Sequence, residues 1–438
     1  MPALEPLPSA FDTWLIEPLK APEFTLPDLV GNMRELRSFQ GSFALLNFWA
    51  SKAPGCRDQL TRLQQHRSAF AAGKLNIIAV NVDDPADSQT ARSFVMPLAL
   101  SFPVLFATQD TAGIYNIIYR YLYDRRRDLP IPASFLLDKD GLIVKICQGA
   151  VDPRQLLEDV QSIPLTSSER MQRALPMGGI LYGDAFQRND FTYGVALFQH
   201  GYLDAAEESF QQVIAQKPND AEAYYNLGTL NLRRNNLPQA QQYLAQTVKL
   251  RPAFPDAWNN LGMIAAQQGQ TDEAIQNFQE ALRQNPNYAI ALLNLGNLYR
   301  RQSAFDRAKP LLNRALEIQP DDPEVNYSLG MFYAQQGEIQ QAANYLQKAI
   351  DLRPNYPEAI NNLGVLFVRG KNYSQAEELF KTGIRVAPNS DQSYMNLARL
   401  YAMQNDNERA IAVLNELLRI QPQNRGAQQA LEMLKSQP

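Results

Sequence analysis

From residue 187 onward, apolar and small side chains return at one fixed interval. Pro218, Pro252, Pro286, Pro320, Pro354, Pro388 and Pro422 lie 34 residues apart at every step. Gly194, Gly228, Gly262, Gly296, Gly330 and Gly364 keep that spacing, with Ala398 as the seventh member. So do Ala206, Ala240, Ala274, Ala308, Ala342, Ala376 and Ala410. Seven windows, 187–220 through 391–424, follow one another without insertion. A period of this length marks an array of stacked units, none of which can bury its apolar face alone.

Each window reads as a helical hairpin. In 255–288, Pro255 and Asp256 open a helix, since proline is pre-organised for a first turn and a carboxylate suits the positive end. Trp258, Leu261, Ile264 and Ala265 then recur near the 3.6-residue period, and Gly269 supplies a left-handed stop. Ala274, Phe278 and Ala281 form the inner face of a second helix, which Pro286 ends. Gly262 and Ala274 are expected where the two helices cross closely. Gly201, Asn235, Gly269, Ser303, Gly337, Lys371 and Asn405 occupy the turn, and the glycines and asparagines among them tolerate positive φ. Arg425 to Lys435, with Ala427, Ala430, Leu431 and Leu434, predicts a capping helix within 425–438.

Before residue 165 the pattern changes to short apolar runs separated by amphipathic stretches. Phe43–Trp49 reads as a buried strand, followed by a helix from Cys56 to Ala72, a strand at Leu75–Val82, a helix near Asp87–Val95 and an apolar segment Phe102–Phe106. A helix around Ala112–Tyr123 comes next. Ser134–Asp138 and Leu142–Cys147 then form a hairpin turning at Lys139-Asp140-Gly141, and a last helix, capped by Asp152 with Pro153 in its first turn, runs to about Ile163. This alternation implies an α/β layer structure. Residues 1–22 read as an N-terminal arm and 165–186, with Pro176 and Met177-Gly178-Gly179, as a linker. Tyr115, Tyr119, Tyr121 and Tyr123 precede Arg125-Arg126-Arg127; the four-residue spacing of Tyr115 and Tyr119 favours one packed helix face over a nucleic-acid surface.

The repeated windows resemble the tetratricopeptide (TPR) repeat, through YNLG, NNLG, LNLG, YSLG and NNLG, a later alanine and a terminal proline. The first window departs from the pattern at Asp190 and Thr192 and reads as an atypical cap. The resemblance implies an all-α superhelical solenoid with a concave face lined by first helices. On that face it places Asn226, Asn260, Asn294, Ser328, Asn362 and Asn396. Such amides can pair with the backbone of an extended peptide whatever its sequence, as in the similar asparagine ladder of O-linked GlcNAc transferases, or they can bridge neighbouring helices within the stack. A second column, Tyr225, Asn259, Leu293, Tyr327, Asn361 and Met395, and a third, Arg233, Gln267, Arg301, Gln335, Arg369 and Met403, flank it. Arg233, Arg301 and Arg369 can read acidic groups, or simply be solvated.

Residues 23–164 resemble the thioredoxin-like fold of the TlpA/ResA and peroxiredoxin superfamily, through PEFTLPDLVGN, LLNFWASKAPGC and IPASFLLDKDGLIV. The resemblance puts Pro132 at the cis-proline loop beside the active site. It also exposes a departure. Dithiol exchange needs a thiolate at a helix N-terminus and a resolving cysteine three residues later. Here Ala53 stands where the attacking cysteine belongs, Lys52 replaces the usual aromatic, and only Cys56 remains. A peroxidatic role for Cys56 would want a threonine at position 53, which is alanine. The pairing of the two modules resembles redoxin–TPR fusions of bacteria, sometimes appended to ASPIC/UnbV-type proteins.

Composition narrows the function class further. Of 438 residues 45% are hydrophobic and 20% charged, an ordinary globular balance. The formal net charge of −4 leaves neither half with a basic excess, which disfavours nucleic acid as a partner. Cys56 and Cys147 are the only cysteines and His66 and His200 the only histidines, so no disulfide framework, metal site or other cofactor is expected. As written, the chain shows neither a signal peptide nor an 18-residue apolar run, and reads as cytoplasmic without membrane insertion; a fragment of a larger protein would allow an extracytoplasmic location. The expectation is a non-catalytic scaffold that binds protein or peptide segments in extended conformation. The alternative is a thiol peroxidase or disulfide exchanger using Cys56.

Overall fold

The structure, a computed structural model, describes residues 12–122, 128–164, 166, 169–170, 173 and 190–436. The chain divides into two compact units, Met1–Asn226 and Leu227–Pro438.

In the first unit the apolar run becomes β4 (Phe43–Trp49), buried from Ala44 onward because both of its faces are covered. It pairs in parallel with β5 (Leu75–Asn81), which pairs in parallel with β6 (Val104–Phe106). On its other side lie β7 (Ala133–Leu137) and then β8 (Leu142–Gln148), both antiparallel to their neighbours. With β1 (Asp12–Lys20) outermost, the six-stranded order is β1-β8-β7-β4-β5-β6, and β2 (Thr25–Pro27) pairs with β3 (Met33–Glu35) separately. Helices α3 (Ser88–Val95), α4 (Gln109–Leu122) and α5 (Pro153–Gln161) fall close to expectation. Asp152 caps α5 by accepting from the Arg154 N–H.

Two elements differ from the sequence reading. The single helix expected over 56–72 is α1 (Cys56–Gln65) and α2 (Arg67–Ala72), interrupted at His66, whose φ of −98° and ψ of 10° leave the helical basin. Part of the expected arm is β1 (Asp12–Lys20), the outer strand on β8, with Asp12 opposite Cys147 and Trp14 opposite Lys145. Its pairing shifts between Trp14 and Leu19, so the apolar positions Trp14, Leu15 and Leu19 never show the alternation that marks a strand. Tyr115 and Tyr119 are buried as expected, whereas Tyr123 and Arg125 to Arg127 lie outside the described residues. So does most of the expected linker, including Pro176 and Met177 to Gly179.

The first repeat, helices Asp190–Gln199 and Leu203–Gln216, packs in this unit. Tyr202, at its turn, approaches α4 so closely that a Cβ on Gly113 would collide with the phenol oxygen. Lys20 pairs with Glu208 at 2.6 Å.

The second unit consists of helical hairpins at the expected period. The third repeat, for example, is Pro255–Gln267 followed by Thr271–Gln284, and the seventh is Asp391–Met403 followed by Asn407–Ile420. The final helix, Arg425–Lys435, buries Ala427 against Leu414 and Leu417. Ala274, Phe278 and Ala281 face inward as the spacing required. Turn residues of all seven repeats have positive φ, including Ser303 at 59° and Lys371 at 60°, so hairpin geometry overrides residue preference where no glycine or asparagine is present. A Cβ on Gly262 would lie 2.6 Å from the Phe278 ring. Gly262→Ala should therefore cost about 1–3 kcal/mol by overpacking, despite the better helix propensity of alanine, read as a lower urea midpoint.

Candidate functional site

The stretch that the sequence resemblance reads as a redox position follows the end of β4. Ala50 to Gly55 form the turn into α1, Gly55 adopting φ 80° as the N-cap, and Cys56 is the first helical residue. A thiol there receives the helix dipole, yet Cys56 is fully buried and packs with Trp49, Leu60 and Ala79. Burial pushes its pKa up, only partly opposed by the hydrogen bond with the Ala50 backbone, and Asp83 adds to the rise. Ala53 and Ile131 are half-buried against the same cluster, and the Ile131–Pro132 peptide is cis. Cys147 lies in a different apolar cluster with its thiol held far above the ordinary range by burial, and both cysteines are free. The turn thus carries a half-buried alanine where the resemblance expects an attacking cysteine, followed by a fully buried thiol.

The asparagine column forms a row of half-buried side chains on successive first helices. Asn294 Nδ2 donates to Asn259 Oδ1 at 3.0 Å, Asn362 Nδ2 to the Tyr327 hydroxyl at 3.0 Å, and Asn396 Nδ2 to Asn361 Oδ1 at 3.4 Å. Each of these bonds joins one repeat to the preceding one. Asn260 Oδ1 accepts from Asn259 at 3.4 Å, and Asn226 donates to the Glu222 carbonyl of its own helix at 2.8 Å. The carboxamide oxygens of Asn226, Asn294, Asn362 and Asn396 accept nothing among the described residues, and none is sealed from solvent.

The second column divides. Asn259 and Asn361 are buried, at 2% and 1% exposure, so they belong to the packing between repeats and not to an open groove. Tyr225 and Tyr327 are half-buried, and Tyr327 lies 5.1 Å from Tyr356 between ring centroids. Arg233, Arg301 and Arg369 are exposed.

Comparison with known proteins follows the same division. Residues 19–146 match the AhpC/TSA family, 193–353 the C-terminal domain of cilia and flagella-associated protein 70, and 301–421 the middle TPR-like domain of that protein. Thiol-disulfide oxidoreductase ResA of Bacillus thuringiensis subsp. konkukian is 31% identical over 144 residues, covering 33% of this chain and 76% of ResA. The chain belongs to the ResA-like thioredoxin-fold family, extended by tetratricopeptide repeats. ResA of Geobacillus thermodenitrificans is similar at 27% identity, over 33% of this chain and 75% of the relative. Among solved structures, the APC/C hetero-tetramer Cut9–Hcn1 is 21% identical with a TM-score of 0.49, covering 58% of this chain and half of that one. YrrB, a TPR protein with an unusual peptide-binding site, is 24% identical with a TM-score of 0.35, over 43% of this chain and 96% of YrrB.

One residue of the ResA-like chain's repeats escapes the sequence columns. Arg300 is 8% exposed, although the equivalent positions of neighbouring repeats are Leu232, Ala266, Ala334, Val368 and Ala402. That contrast is the signal in the sequence that marks it. Among the described residues no helix is long and apolar enough to cross a membrane, and no group of histidine, cysteine, aspartate and glutamate is arranged to hold a metal ion.

Proposed function

We propose that this chain is a non-catalytic protein-interaction scaffold whose repeats hold extended peptide segments along the row of first-helix amides. What supports the reading is the division of labour within each carboxamide. One N–H of Asn294, Asn362 and Asn396 is committed to the preceding repeat, which fixes the side chain, while the carbonyl oxygen stays available to a ligand N–H. Asn260 and, in sequence register, Asn226 continue the row. Each amide contributes about 1 kcal/mol net, so several must act together to offset the ordering of a peptide. The ResA-like domain contributes a folded surface without an exposed thiol; the buried Cys56 gives the peroxidase or exchanger alternative no accessible nucleophile.

A peptide array probed with the native chain and with Asn260→Ala/Asn294→Ala tests the mechanism. The double variant should lose about tenfold or more in affinity for every bound peptide, irrespective of sequence. Asn259→Ala removes the bond that fixes Asn294 while leaving both row amides in place, and should lose less affinity than the double variant. Unchanged binding by the double variant, or equal loss in Asn259→Ala, would show that the amides act only within the stack.

A further inference from the structure

Arg300 is a charged residue in an otherwise apolar column, and its surroundings are built around it. Its Nε donates to Asn297 Oδ1 at 3.2 Å, while Asn297 Nδ2 donates to Ser328 Oγ at 2.8 Å. Ser328 is the rung at which the amide row carries a shorter side chain, so Asn297 can reach it. No carboxylate among the described residues lies within ion-pair distance of Arg300, and its neighbour Arg301 adds like charge. Burial and that neighbour pull the guanidinium below the ordinary arginine range. Its two terminal nitrogens make no hydrogen bond, yet they are not sealed from solvent.

An uncompensated buried charge is among the most destabilising features a repeat can carry, and apolar side chains serve this position everywhere else in the array. Tyr327 adjoins Ser328, the rung that Asn297 reaches, and the Arg300 charge opposes the rise that burial gives its phenol. That hydroxyl accepts from Asn362, which leaves its own hydrogen without an acceptor among the described residues. The guanidinium and the phenol therefore offer two kinds of donor and, between them, no committed anion. Of the two acids that act on the phenol, Glu358 and Glu324, neither pairs with Arg300, and Glu324 is occupied by Arg353 at 2.7 Å and Tyr356 at 2.6 Å.

We infer that Arg300 is a specificity-determining residue that receives a carboxylate of the bound peptide, with Tyr327 as the second donor. The inference rests on the peptide-groove reading and gives it a chemical preference: backbone amides hold any extended segment, and Arg300 selects one bearing an acidic group at the matching register. A planar guanidinium suits a carboxylate through paired N–H donors. The carboxylate can come from an Asp or Glu side chain or from a peptide C-terminus.

Two series of acetylated ten-residue Ala/Ser peptides provide the probe. One carries a single Glu or Gln walked along an amidated chain; the other ends in a free carboxylate or an amide. The native chain should prefer the carboxylate member of at least one series by about tenfold, and the preference should weaken with salt. Preference within the walked series assigns a side chain, and within the second a C-terminus. Arg300→Gln and Arg300→Leu should abolish the preference while retaining the Gln and amide peptides at native affinity. Arg300→Leu should also raise the urea midpoint, because it restores the apolar column. A preference that survives both variants, or no preference in a native chain that binds the neutral peptides, overturns the role of Arg300 and leaves the groove standing. Failure to bind either series overturns the groove as well.

Discussion

Lys145→Met should destabilise the ResA-like domain by about 3–5 kcal/mol, because it leaves a buried carboxylate without its cation. Lys145 and Asp159 have side chains 4% and 5% exposed and meet at 2.5 Å; Asp12 reaches the same ammonium at 2.9 Å from the outer strand. Two sequence-distant elements, β1 and α5, are thereby tied to β8. Burial acts to lower the Lys145 pKa, but neighbouring Cys147, Asp159 and Asp12 raise it by more, and the ammonium ends above its ordinary value. A cation whose folded pKa is raised contributes fully below its unfolded pKa and loses that contribution as pH climbs through the folded one. The penalty of Lys145→Met should accordingly hold steady across neutral pH and shrink in strongly alkaline solution. Lys145→Met/Asp159→Leu should recover most of the loss, since apolar replacement of both partners removes the orphaned charge. Urea unfolding followed by fluorescence of Trp14 and Trp49 in a Trp258→Phe background reads the first unit. A single-variant penalty under 1 kcal/mol would mean that water reaches Asp159 and replaces the lysine.

The legible part of this protein is what period and packing dictate. A 34-residue spacing of Pro, Gly and Ala specifies hairpins because each small residue faces a large one, as Gly262 faces Phe278, and a larger side chain would part the helices. The central strands were equally visible, since strands covered on both faces are written as unbroken apolar runs. Strand β1 was not, because its irregular pairing destroys alternation; nor was the break at His66, which sits inside a stretch of good helix formers. For the proposed groove, the 34-residue register aligns the Asn column but does not decide what each amide bonds. Asn259 and Asn260 are adjacent and chemically identical in the sequence. Only helix packing buries the first and leaves the second half-exposed. Arg300 is hidden for the opposite reason: a repeat displays sameness, and the information in Arg300 lies in its difference from its equivalents.

Ala53→Cys should convert the inert position into a working dithiol exchanger, raising insulin reduction from the dithiothreitol background to a clear catalysed rate. Position 53 is half-buried in the turn just before α1, whereas Cys56 is fully buried at the first helical residue, so the two places already differ in access as an attacking and a resolving thiol must. The helix N-terminus favours a thiolate there. Lowering its pKa from about 8.5 to about 7 would raise the thiolate fraction at pH 7 from about 3% to about half. The new thiolate attacks one sulfur of the substrate disulfide and releases the other as a thiolate that takes up a proton. Cys56, once deprotonated, then attacks the sulfur at position 53 and expels the second substrate thiol. The two electrons come from the variant's dithiol, which dithiothreitol regenerates. Combining Ala53→Cys with Cys56→Ser should halt the cycle at a mixed disulfide visible by mass. The native chain and Cys56→Ser alone should both match the background, with peroxide as well as with insulin. Catalysis by the native chain that vanishes in Cys56→Ser would instead establish a single-thiol enzyme and overturn the scaffold reading. An inactive Ala53→Cys that nonetheless forms its internal disulfide would show that the apolar cluster around Ile131 and Trp49 now blocks the approach of a substrate.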